Sequence, residues 1–531
     1  MGEAEQGGSG HDASGGAPAP DATPTGATPT VHREVETKFR VHGLFRLPDL
    51  AGPGAVARVE PREARELVAV YHDTADLRLA REGITLRRRE GGEDAGWHLK
   101  LPAGGTARDE VRLPLEAGEA GAVPRELSDL VFPYLRSAAL EPVAVLQTER
   151  LPFALLTEDG RELAELTDDT VSVLDGDRVL VRFRELELEE AQAGPGELDA
   201  VVAALQEAGA LPGEFVSKAV RALGPRATAP GDLPEPAPVD QDDPAGTLVT
   251  AYLATHVRAL RRADLGVRRG EDDAVHQMRV AARRMRSGLR AFRPLVEREW
   301  ADGLRDELQW VAGELGGVRD REVLLERLEG ALHELPPEAD ALGTRTLLSQ
   351  EIGGAHDAAR AEALEALRSD RYAALLDALV EAVRAPRLTP LAEEPCRSAL
   401  PPLMEAAWKR LARDAKQLRL DGEDDEWHET RKAAKLVRYT AEAIAPALGK
   451  PAKRLAKQVT RVTELLGDHQ DAAIAAETLH GIAAGEHVSG RQGFTLGLLF
   501  ADQRNAVLVA RVRFLELWPE VSHRRHRDWL R

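Results

Sequence analysis

The sequence predicts an α+β protein of several domains, in which a curled antiparallel β-sheet precedes an all-helical half. Three observations lead to this prediction. From about residue 31 to 223, short segments of alternating charged and apolar residues are separated by Gly and Pro, as in strands joined by turns. Residues 224–245 are rich in Pro and Asp and are predicted to be a linker. From residue 246 to 531, Ala, Leu, Arg and Glu recur at helical spacing.

Length and composition limit the number of domains, the binding partners and the location that can be expected for this protein. The 531 residues are enough for two or more domains, and residues 1–30 are predicted to be a disordered tail because they contain few apolar groups. The net charge of −19 argues against broad nucleic-acid binding, and the single cysteine, Cys396, excludes an internal disulfide. No apolar run reaches the length of a membrane span and there is no hydrophobic signal core, so we expect a cytoplasmic protein.

The first predicted strand carries the pattern around which the β-rich half is organised. In Glu34-Val35-Glu36-Thr37-Lys38, alternation places Glu34, Glu36 and Lys38 on one face. Two carboxylates this close raise each other's pKa unless a cation lies between them. One segment of this kind is most simply a solvated strand face, so its significance depends on whether the pattern recurs.

The pattern does recur, and acidic and basic residues are concentrated in different segments of the β-rich half. Cationic segments lie between the acidic first strand and a late acidic segment, 185–189, and they contain Arg87, Arg89, Lys100, Arg108 and Arg150. If the sheet curls into a barrel, these faces turn inward. Buried charges are unfavourable without partners, so such an interior would suit a polyanion held by Arg and Lys and Mg²⁺ or Mn²⁺ held by carboxylates.

Five motifs follow one another in the β-rich half: Glu34-x-Glu36-x-Lys38, Tyr71-His72-Asp73-Thr74, Leu86-Arg87-Arg88-Arg89, Trp97-x-Leu99-Lys100-Leu101-Pro102 and Glu185-x-Glu187-x-Glu189. Together they resemble the CYTH family of triphosphate tunnel metalloenzymes over about residues 32–223. The resemblance implies an eight-stranded antiparallel β-barrel that binds a triphosphate and divalent metal ions in its lumen.

The resemblance also implies roles for individual residues. The metal carboxylates would be Glu34, Glu36, Glu185 and Glu187, with Asp169 as a further candidate beside Asp168. The phosphate-binding residues would be Lys38, Arg87, Arg89, Lys100, Arg150 and Lys218, with Arg108 and Glu110 as a further charged pair. The expected catalytic residues are Glu34, Glu36 and Lys38.

From this we expect a metal-dependent triphosphatase that hydrolyses inorganic tripolyphosphate, using Mg²⁺ or Mn²⁺. Two metal ions, or one ion and a carboxylate that accepts a proton from water, would serve equally. The alternatives are thiamine triphosphate hydrolysis or class IV adenylate cyclase chemistry in the same tunnel, and a non-catalytic polyphosphate-binding or targeting protein.

The helical half contains an internal repeat. Residues 275–286 return as residues 427–438 with the shared pattern His-x-x-Arg-x-Ala-Ala-(Arg/Lys)-x-x-Arg. A second pair of segments, 315–320 and 466–471, follows in the same order. Two matched blocks in one order predict a duplicated helical bundle, with about four helices in each copy.

Each copy has a row of basic residues at spacings of three and four, which is one face of a helix. The rows are His276, Arg279, Arg283 and Arg286 in the first copy, and His428, Arg431, Lys435 and Arg438 in the second. A surface lattice of ion pairs explains one such row, whereas two facing rows would line a groove for a polyanion.

These blocks resemble the CHAD domain over about residues 246–525, which implies binding of long-chain inorganic polyphosphate through both rows. The histidines of that family have also been interpreted as metal chelators, but here they lie among cations, which favours polyphosphate. Such a domain would recruit or orient the polymer, or place the protein at polyphosphate granules. We expect Asp320 and Asp471 to pair with the basic helices.

Overall fold

The computed structural model describes residues 30–103, 107–119, 121–213, 217–485 and 487–530. The predicted tail lies outside the described residues, apart from Thr30. The strands are β1 (Thr30–Glu34), β2 (Glu36–Val41), β3 (Arg58–Pro61), β4 (Arg65–Asp73), β5 (Thr85–Glu90), β6 (Gly96–Pro102), β7 (Arg108–Leu113), β8 (Glu141–Leu156), β9 (Glu162–Asp175), β10 (Arg178–Glu190) and β11 (Leu211–Pro212). The helices of this half are α1 (Arg78–Arg81), α2 (Arg125–Leu135), α3 (Asp199–Glu207) and α4 (Lys218–Leu223).

The strands form one antiparallel sheet that closes on itself, because the first strand pairs with a neighbour on each side. Around the sheet the order is β1, β7, β6, β5, β4, β8, β9, β10 and β2, with β11 on β2 and β3 on β8. β1 and β2 are two parts of one strand interrupted at Val35, so the pairing of β1 with β7 and of β2 with β10 closes the sheet. With β1 and β2 counted as one strand, this is the predicted antiparallel barrel of eight strands.

Apolar side chains cover much of the outside of the barrel, and a smaller apolar cluster that includes Tyr71 and Val171 lies inside it beside the charged groups. Trp97 of β6 shares an apolar cluster with Val131 of α2, and Phe39 of β2 shares another with Leu186 of β10 and Val201 of α3. Because side chains alternate along a strand, the residues next to these apolar positions face the interior.

The C-terminal half is entirely helical. Its helices are α5 (Ala245–Arg269), α6 (Ala274–Ala291), α7 (Arg298–Glu314), α8 (Gly316–His333), α9 (Ala341–Leu348), α10 (Gly354–Ala366), α11 (Asp370–Arg384), α12 (Cys396–Gln417), α13 (Asp424–Leu448), α14 (Lys450–Ala483) and α15 (Gly490–Val521). One apolar cluster runs from Leu248 in α5 to Phe514 in α15. No helix in the described part of the chain has the length and apolar character needed to cross a membrane.

The internal repeat corresponds to two similar sets of helices. The histidine motifs lie in α6 and α13, and these helices contact each other through Arg283 and Tyr439. The second motif differs between the copies, because Gly316 begins α8 after α7 has ended, whereas Gly467 lies within the continuous helix α14. The first copy has Gly-Gly at this step and the second has Gly-Asp, and consecutive glycines weaken a helix more. Four helices per copy is therefore only approximate.

The segment predicted as a linker is packed between the two halves. Asp232 accepts hydrogen bonds from Arg136, which follows α2, and from Arg261 of α5, the latter at 2.8 Å. Arg261 also donates to Glu82 at 3.4 Å, and Leu233 joins the core of the helical half. The side chains of Arg136 and Arg261 are each 4% exposed. The two halves are therefore joined by a buried ionic contact.

Replacing Asp232 by Ala is expected to lower the free energy of unfolding by about 3 kcal/mol, because Arg136 and Arg261 would lose a buried counter-ion. Urea unfolding followed by circular dichroism measures this change. Glu235 provides a matched control in the same segment: it pairs with Arg258 at 3.1 Å, but its side chain is 84% exposed. Glu235→Ala is expected to change the free energy of unfolding by less than about 1 kcal/mol. Equal losses in the two variants would contradict a buried interdomain contact.

Candidate functional site

The barrel encloses a cavity, here called the tunnel, whose lining is almost entirely charged or polar. Among the described residues, the cations that line it are Lys38, Arg87, Arg89, Lys100, Arg108, Arg112, Arg150 and Lys218. The carboxylates that line it are Glu34, Glu36, Asp94, Glu187 and Glu189, and Tyr71, Thr85 and Ser217 complete the lining. Such an interior is unfavourable unless its charges pair with one another or with bound ions.

The first and late strands bring four carboxylates together, and we call Glu34, Glu36, Glu187 and Glu189 the acidic cluster. Glu36 on β2 and Glu189 on β10 are directly opposite each other in the sheet register. Like charges in this arrangement destabilise a sheet. Burial and the charge of Glu34 raise the pKa of Glu189, and burial also raises the pKa of Glu34. Additional positive charge would therefore stabilise the acidic cluster.

Two lysines supply part of that positive charge. Lys38 Nζ lies 2.6 Å from Glu187 and 3.2 Å from Glu36. Burial alone would lower the pKa of Lys38, but the charges of Glu187 and Glu36 raise it above its usual value. Lys218 Nζ lies 2.7 Å from Glu187 and 2.9 Å from Glu185. Both lysines are therefore held as ammonium groups in the tunnel.

Lys218, which the family resemblance implies as a phosphate-binding residue, lies at the start of helix α4 and not on a strand. Ser217 caps this helix by accepting a hydrogen bond from the backbone N–H of Val220 at 3.2 Å. Lys218 also lies 3.0 Å from Asp169, which is fully buried and is not among the described lining residues. Glu185 is likewise absent from that lining. Metal binding by Asp169 and Glu185 stays a prediction, since their contacts are with cationic side chains.

Three guanidinium groups lie close together in the tunnel, and we call Arg87, Arg89 and Arg150 the arginine cluster. Arg150 donates two hydrogen bonds to Asp169, at 2.9 and 2.7 Å, and Arg89 donates to Asp94. Burial, followed by the charges of Arg87 and Arg150, lowers the pKa of Arg89 to about 9. A bound anion would relieve this repulsion.

Glu110 lies in the wall of the barrel and holds several tunnel cations in position. It is fully buried, it accepts hydrogen bonds from Arg112 and from His98 Nδ1, the latter at 3.0 Å, and it lies 3.6 Å from Lys100 and 4.0 Å from Arg87. Burial alone would raise the pKa of Glu110, but the hydrogen bond from His98 and the charge of Lys100 hold it well below its usual value. Glu110 is therefore an ionised anchor for these cations.

In the helical half, basic residues meet where α6 packs against α13. Arg283 Nε of α6 donates to the Tyr439 hydroxyl at 2.9 Å, and the charge of Arg283 acts on both Arg431 and Lys435 of α13. Arg438 in turn acts on Lys435. We call Arg283, Arg431, Lys435 and Arg438 the α6–α13 seam. These four residues of the two predicted rows are brought together.

The remaining members of the two rows have other contacts. Arg279 donates to Asp320 at 2.8 Å, which confirms the pairing predicted for Asp320. Arg286 donates to a glutamine of α7 at 2.7 Å. His276 is half-buried on α6, whereas His428 lines a separate cavity with residues of α14 and α15. The structure therefore does not place the two histidines in one site.

Comparison with known proteins assigns both halves of the chain. The sequence matches the CYTH domain over residues 32–223 and the CHAD domain over residues 251–480. Two uncharacterized proteins of Mycobacterium tuberculosis, from strains CDC 1551 / Oshkosh and ATCC 25618 / H37Rv, are each 38% identical over 510 residues. The matches cover 91% of this chain and 95% of each relative. The chain belongs to the family that joins a CYTH domain to a CHAD domain.

Solved structures also resemble parts of this CYTH–CHAD protein. PptA from Streptomyces chartreusis is 29% identical, with 52% of this chain and 100% of PptA covered and a TM-score of 0.46. The CHAD domain from the plant Ricinus communis is 25% identical, with coverages of 52% and 94% and a TM-score of 0.42. HpAC1 from Hippeastrum, described as having a dominant triphosphatase activity, is 18% identical, with coverages of 35% and 94% and a TM-score of 0.24. At these TM-scores, the similarities assign no activity to the CYTH–CHAD protein.

CYTH domains are tunnel metalloenzymes that usually depend on Mg²⁺ or Mn²⁺, and the donor set of this tunnel suits such an ion. The acidic cluster offers carboxylate oxygens, the ligands that hard cations prefer, and burial raises the pKa values of Glu34 and Glu189, so nearby positive charge would stabilise their ionised forms. Among the described residues, no three His, Cys, Asp or Glu side chains are grouped as a ready-made metal site. Lys38 and Lys100 occupy contacts of the acidic cluster, so a metal ion would take over contacts from these lysines.

Sequence reasoning assigns no role to three of the charged tunnel residues. Glu189 belongs to the late acidic motif, although only Glu185 and Glu187 of that motif are predicted as metal ligands. Arg112 follows Arg108 and Glu110 on the inner face of β7, so alternation also points to it. Asp94 lies between β5 and β6, where no periodicity marks it. Arg108 lines the tunnel as predicted.

Proposed function

We propose that the CYTH domain is a divalent-metal-dependent inorganic triphosphatase that hydrolyses tripolyphosphate in its tunnel, and that the CHAD domain binds inorganic polyphosphate. The main support is that one lumen holds the acidic cluster on β1, β2 and β10 and the arginine cluster on β5 and β8. A triphosphate would supply anionic oxygens to the arginine cluster, and its divalent cation would supply positive charge to the acidic cluster.

In this mechanism, the arginine cluster and Lys218 bind the phosphoryl oxygens and stabilise the negative charge of the reacting group. Arg150 is held in place by its two hydrogen bonds to Asp169, so less reorganisation is needed when the substrate binds. Lys38 lies beside the acidic cluster and remains charged because the charges of Glu187 and Glu36 outweigh the effect of burial on its pKa. It is therefore suited to contact a phosphate next to the metal site.

Glu34, Glu36, Glu187 and Glu189 are the residues that would hold Mg²⁺ or Mn²⁺. When bound, the metal ion would neutralise charge on the phosphate oxygens and activate the attacking water. The tunnel walls exclude most bulk solvent from the acidic cluster, since Glu34 is 7% and Glu187 is 9% exposed. Electrostatic interactions are stronger in such a site than in water.

The tunnel favours an inorganic substrate over a nucleotide. Tyr71 is the only aromatic side chain among the described lining residues, and the rest of that lining is charged or hydroxyl-bearing. A nucleoside gains affinity by stacking on aromatic or apolar surface, which this lining offers only at one position. Tripolyphosphate, in contrast, uses charged contacts along its whole length.

The CHAD domain is proposed to bind polyphosphate at the α6–α13 seam. Its four cations come from both copies of the repeat, and a polyphosphate chain offers a negative charge at every phosphate unit. Because the interdomain contact at Asp232 ties the CHAD domain to the barrel, polymer bound at the seam would be held close to the CYTH domain. The same affinity would place the protein at cytoplasmic polyphosphate granules.

Orthophosphate release from tripolyphosphate, ATP and thiamine triphosphate, each with Mg²⁺ or Mn²⁺, tests the enzymatic part of the proposal. We expect tripolyphosphate to be hydrolysed fastest and turnover to stop when the metal is removed by a chelator. Faster conversion of ATP to cyclic AMP would assign the tunnel to cyclase chemistry. Absence of turnover with all three substrates, together with retained polyphosphate binding, would favour the non-catalytic alternative.

A further inference from the structure

The α6–α13 seam contains two cations without a hydrogen-bonding partner in the described part of the chain. Arg431 has a buried Nε that makes no hydrogen bond. Lys435 is half-buried, and none of the described residues accepts a hydrogen bond from its Nζ or forms an ion pair with it. The other two cations are partnered: Arg283 donates to Tyr439 at 2.9 Å, and Arg438 donates to a glutamate of α13 at 2.8 Å. Half-buried cations without acceptors point to a missing anion.

The groups that act on Lys435 come from three helices. Arg431 and Arg438 lie on its own helix, Arg283 lies on α6, and Asp471 lies on α14. Helices α5 and α12 also pack against α13, but none of the strongest charged influences on Lys435 among the described residues comes from them. The strongest charged influences on Lys435 among the described residues are therefore three cations and one carboxylate.

This environment disfavours the ammonium form of Lys435. Burial, followed by the charges of Arg431 and Arg283, lowers the pKa of Lys435 to about 7, whereas a hydrated lysine has a pKa of about 10.4. Asp471 acts in the opposite direction but does not compensate. Phosphate oxygens placed in the seam would reverse the charge balance and favour the ammonium form.

We propose that Lys435 takes up a proton when a phosphate chain enters the α6–α13 seam, so that polyphosphate binds more tightly as the pH falls. This inference depends on the proposed polyphosphate binding by the CHAD domain and adds a regulation of that same site.

The direction and size of the effect follow from linkage. In the free seam the pKa of Lys435 is about 7. For the occupied seam we take the pKa of a hydrated lysine, about 10.4, because phosphate oxygens would offset the neighbouring cations. Binding therefore takes up close to one proton at pH 8. The association constant is expected to fall roughly 15-fold between pH 7.0 and pH 8.5. Below pH 6, Lys435 is charged in both states and contributes no pH dependence.

The test uses the full-length protein and long-chain polyphosphate, whose internal phosphate groups stay ionised throughout this pH range. Affinity is measured from pH 7.0 to 8.5 by isothermal titration calorimetry with a chelator present, so that no hydrolysis occurs. Titrations at pH 8 in buffers of different ionisation enthalpy give the number of protons taken up. We expect close to one proton for the wild type.

Lys435→Arg is the decisive variant, because a guanidinium in the seam stays charged over the whole range. It is expected to bind with little pH dependence, to take up almost no proton, and to bind more tightly than the wild type at pH 8.5. Lys409→Arg is the matched control, since Lys409 is on the same copy of the repeat but its side chain is 72% exposed. This control should keep the wild-type pH dependence.

Two results would overturn the inference while leaving polyphosphate binding in place. If Lys435→Arg keeps the pH dependence and proton uptake of the wild type, with circular dichroism showing an unchanged fold, another group is responsible. If the wild type takes up no proton at pH 8 while binding polyphosphate, Lys435 does not titrate on binding. Absence of binding at every pH would remove the proposed CHAD function itself and the inference with it.

Discussion

Glu36→Gln is expected to reduce tripolyphosphate turnover at least about 100-fold, and Glu34→Gln should have a similar effect. Each change removes one charged oxygen from the acidic cluster, and even the loss of groups that merely orient metal ligands costs about 10–100-fold. The barrel should remain folded in Glu36→Gln because Lys38 keeps its contact with Glu187 at 2.6 Å. Orthophosphate release at saturating Mn²⁺ measures the effect.

Glu149→Gln provides the control for these variants. Glu149 lies on β8, one of the barrel strands, but its side chain is exposed and is not among the described tunnel residues. The substitution changes the same functional group and the same net charge, so wild-type turnover is expected. Equal turnover by Glu36→Gln and the wild type would remove Glu36 from the metal site.

Replacing Arg283, Arg431 and Lys435 by Gln is expected to weaken binding of long-chain polyphosphate at least about 100-fold. Each substitution removes one charge-assisted contact with a phosphate, and such contacts contribute about 1.5–3 kcal/mol each. The salt dependence of binding should also become less steep, because fewer phosphate charges are neutralised. Fluorescence titration of the full-length protein at several salt concentrations measures both effects.

The matched control removes three positive charges from exposed positions of the same domain. Arg298, Lys409 and Arg413 have side chains that are 76%, 72% and 67% exposed, respectively. Their replacement by Gln changes the net charge identically and should leave the affinity within about threefold of the wild type, as long-range attraction is screened by salt. If both triple variants lose affinity equally, the attraction comes from overall charge and the α6–α13 seam is not the binding site.

Much of the barrel could be predicted because charged and apolar residues alternate along its strands. Glu34, Glu36 and Lys38 share a face in the sequence, and they share the tunnel in the structure. Strand alternation does not account for Lys218, because this residue enters the tunnel from the first turn of helix α4 and not from a strand. Asp94 was beyond prediction, since a residue between strands has no periodic neighbour from which its orientation follows.

In the CHAD domain, helical spacing predicted the basic rows but not which of their residues meet. Helical periodicity predicts which residues share one face of a helix. The angle at which two helices cross decides which residues of those faces come into contact. Arg283 and Lys435 lie at that crossing, while Arg286 is directed to α7 instead. The ionic contact at Asp232 was likewise hidden in a segment whose composition indicates a linker.

The most direct test of the central claim is a crystal structure of the full-length protein with tripolyphosphate and Mn²⁺, with anomalous diffraction recorded at the manganese edge. We predict a manganese peak among the carboxylates of the acidic cluster and tripolyphosphate density that extends from this ion to the arginine cluster. Manganese and tripolyphosphate bound outside the barrel, or a lumen filled by apolar side chains with its charged groups turned into solvent, would contradict the account.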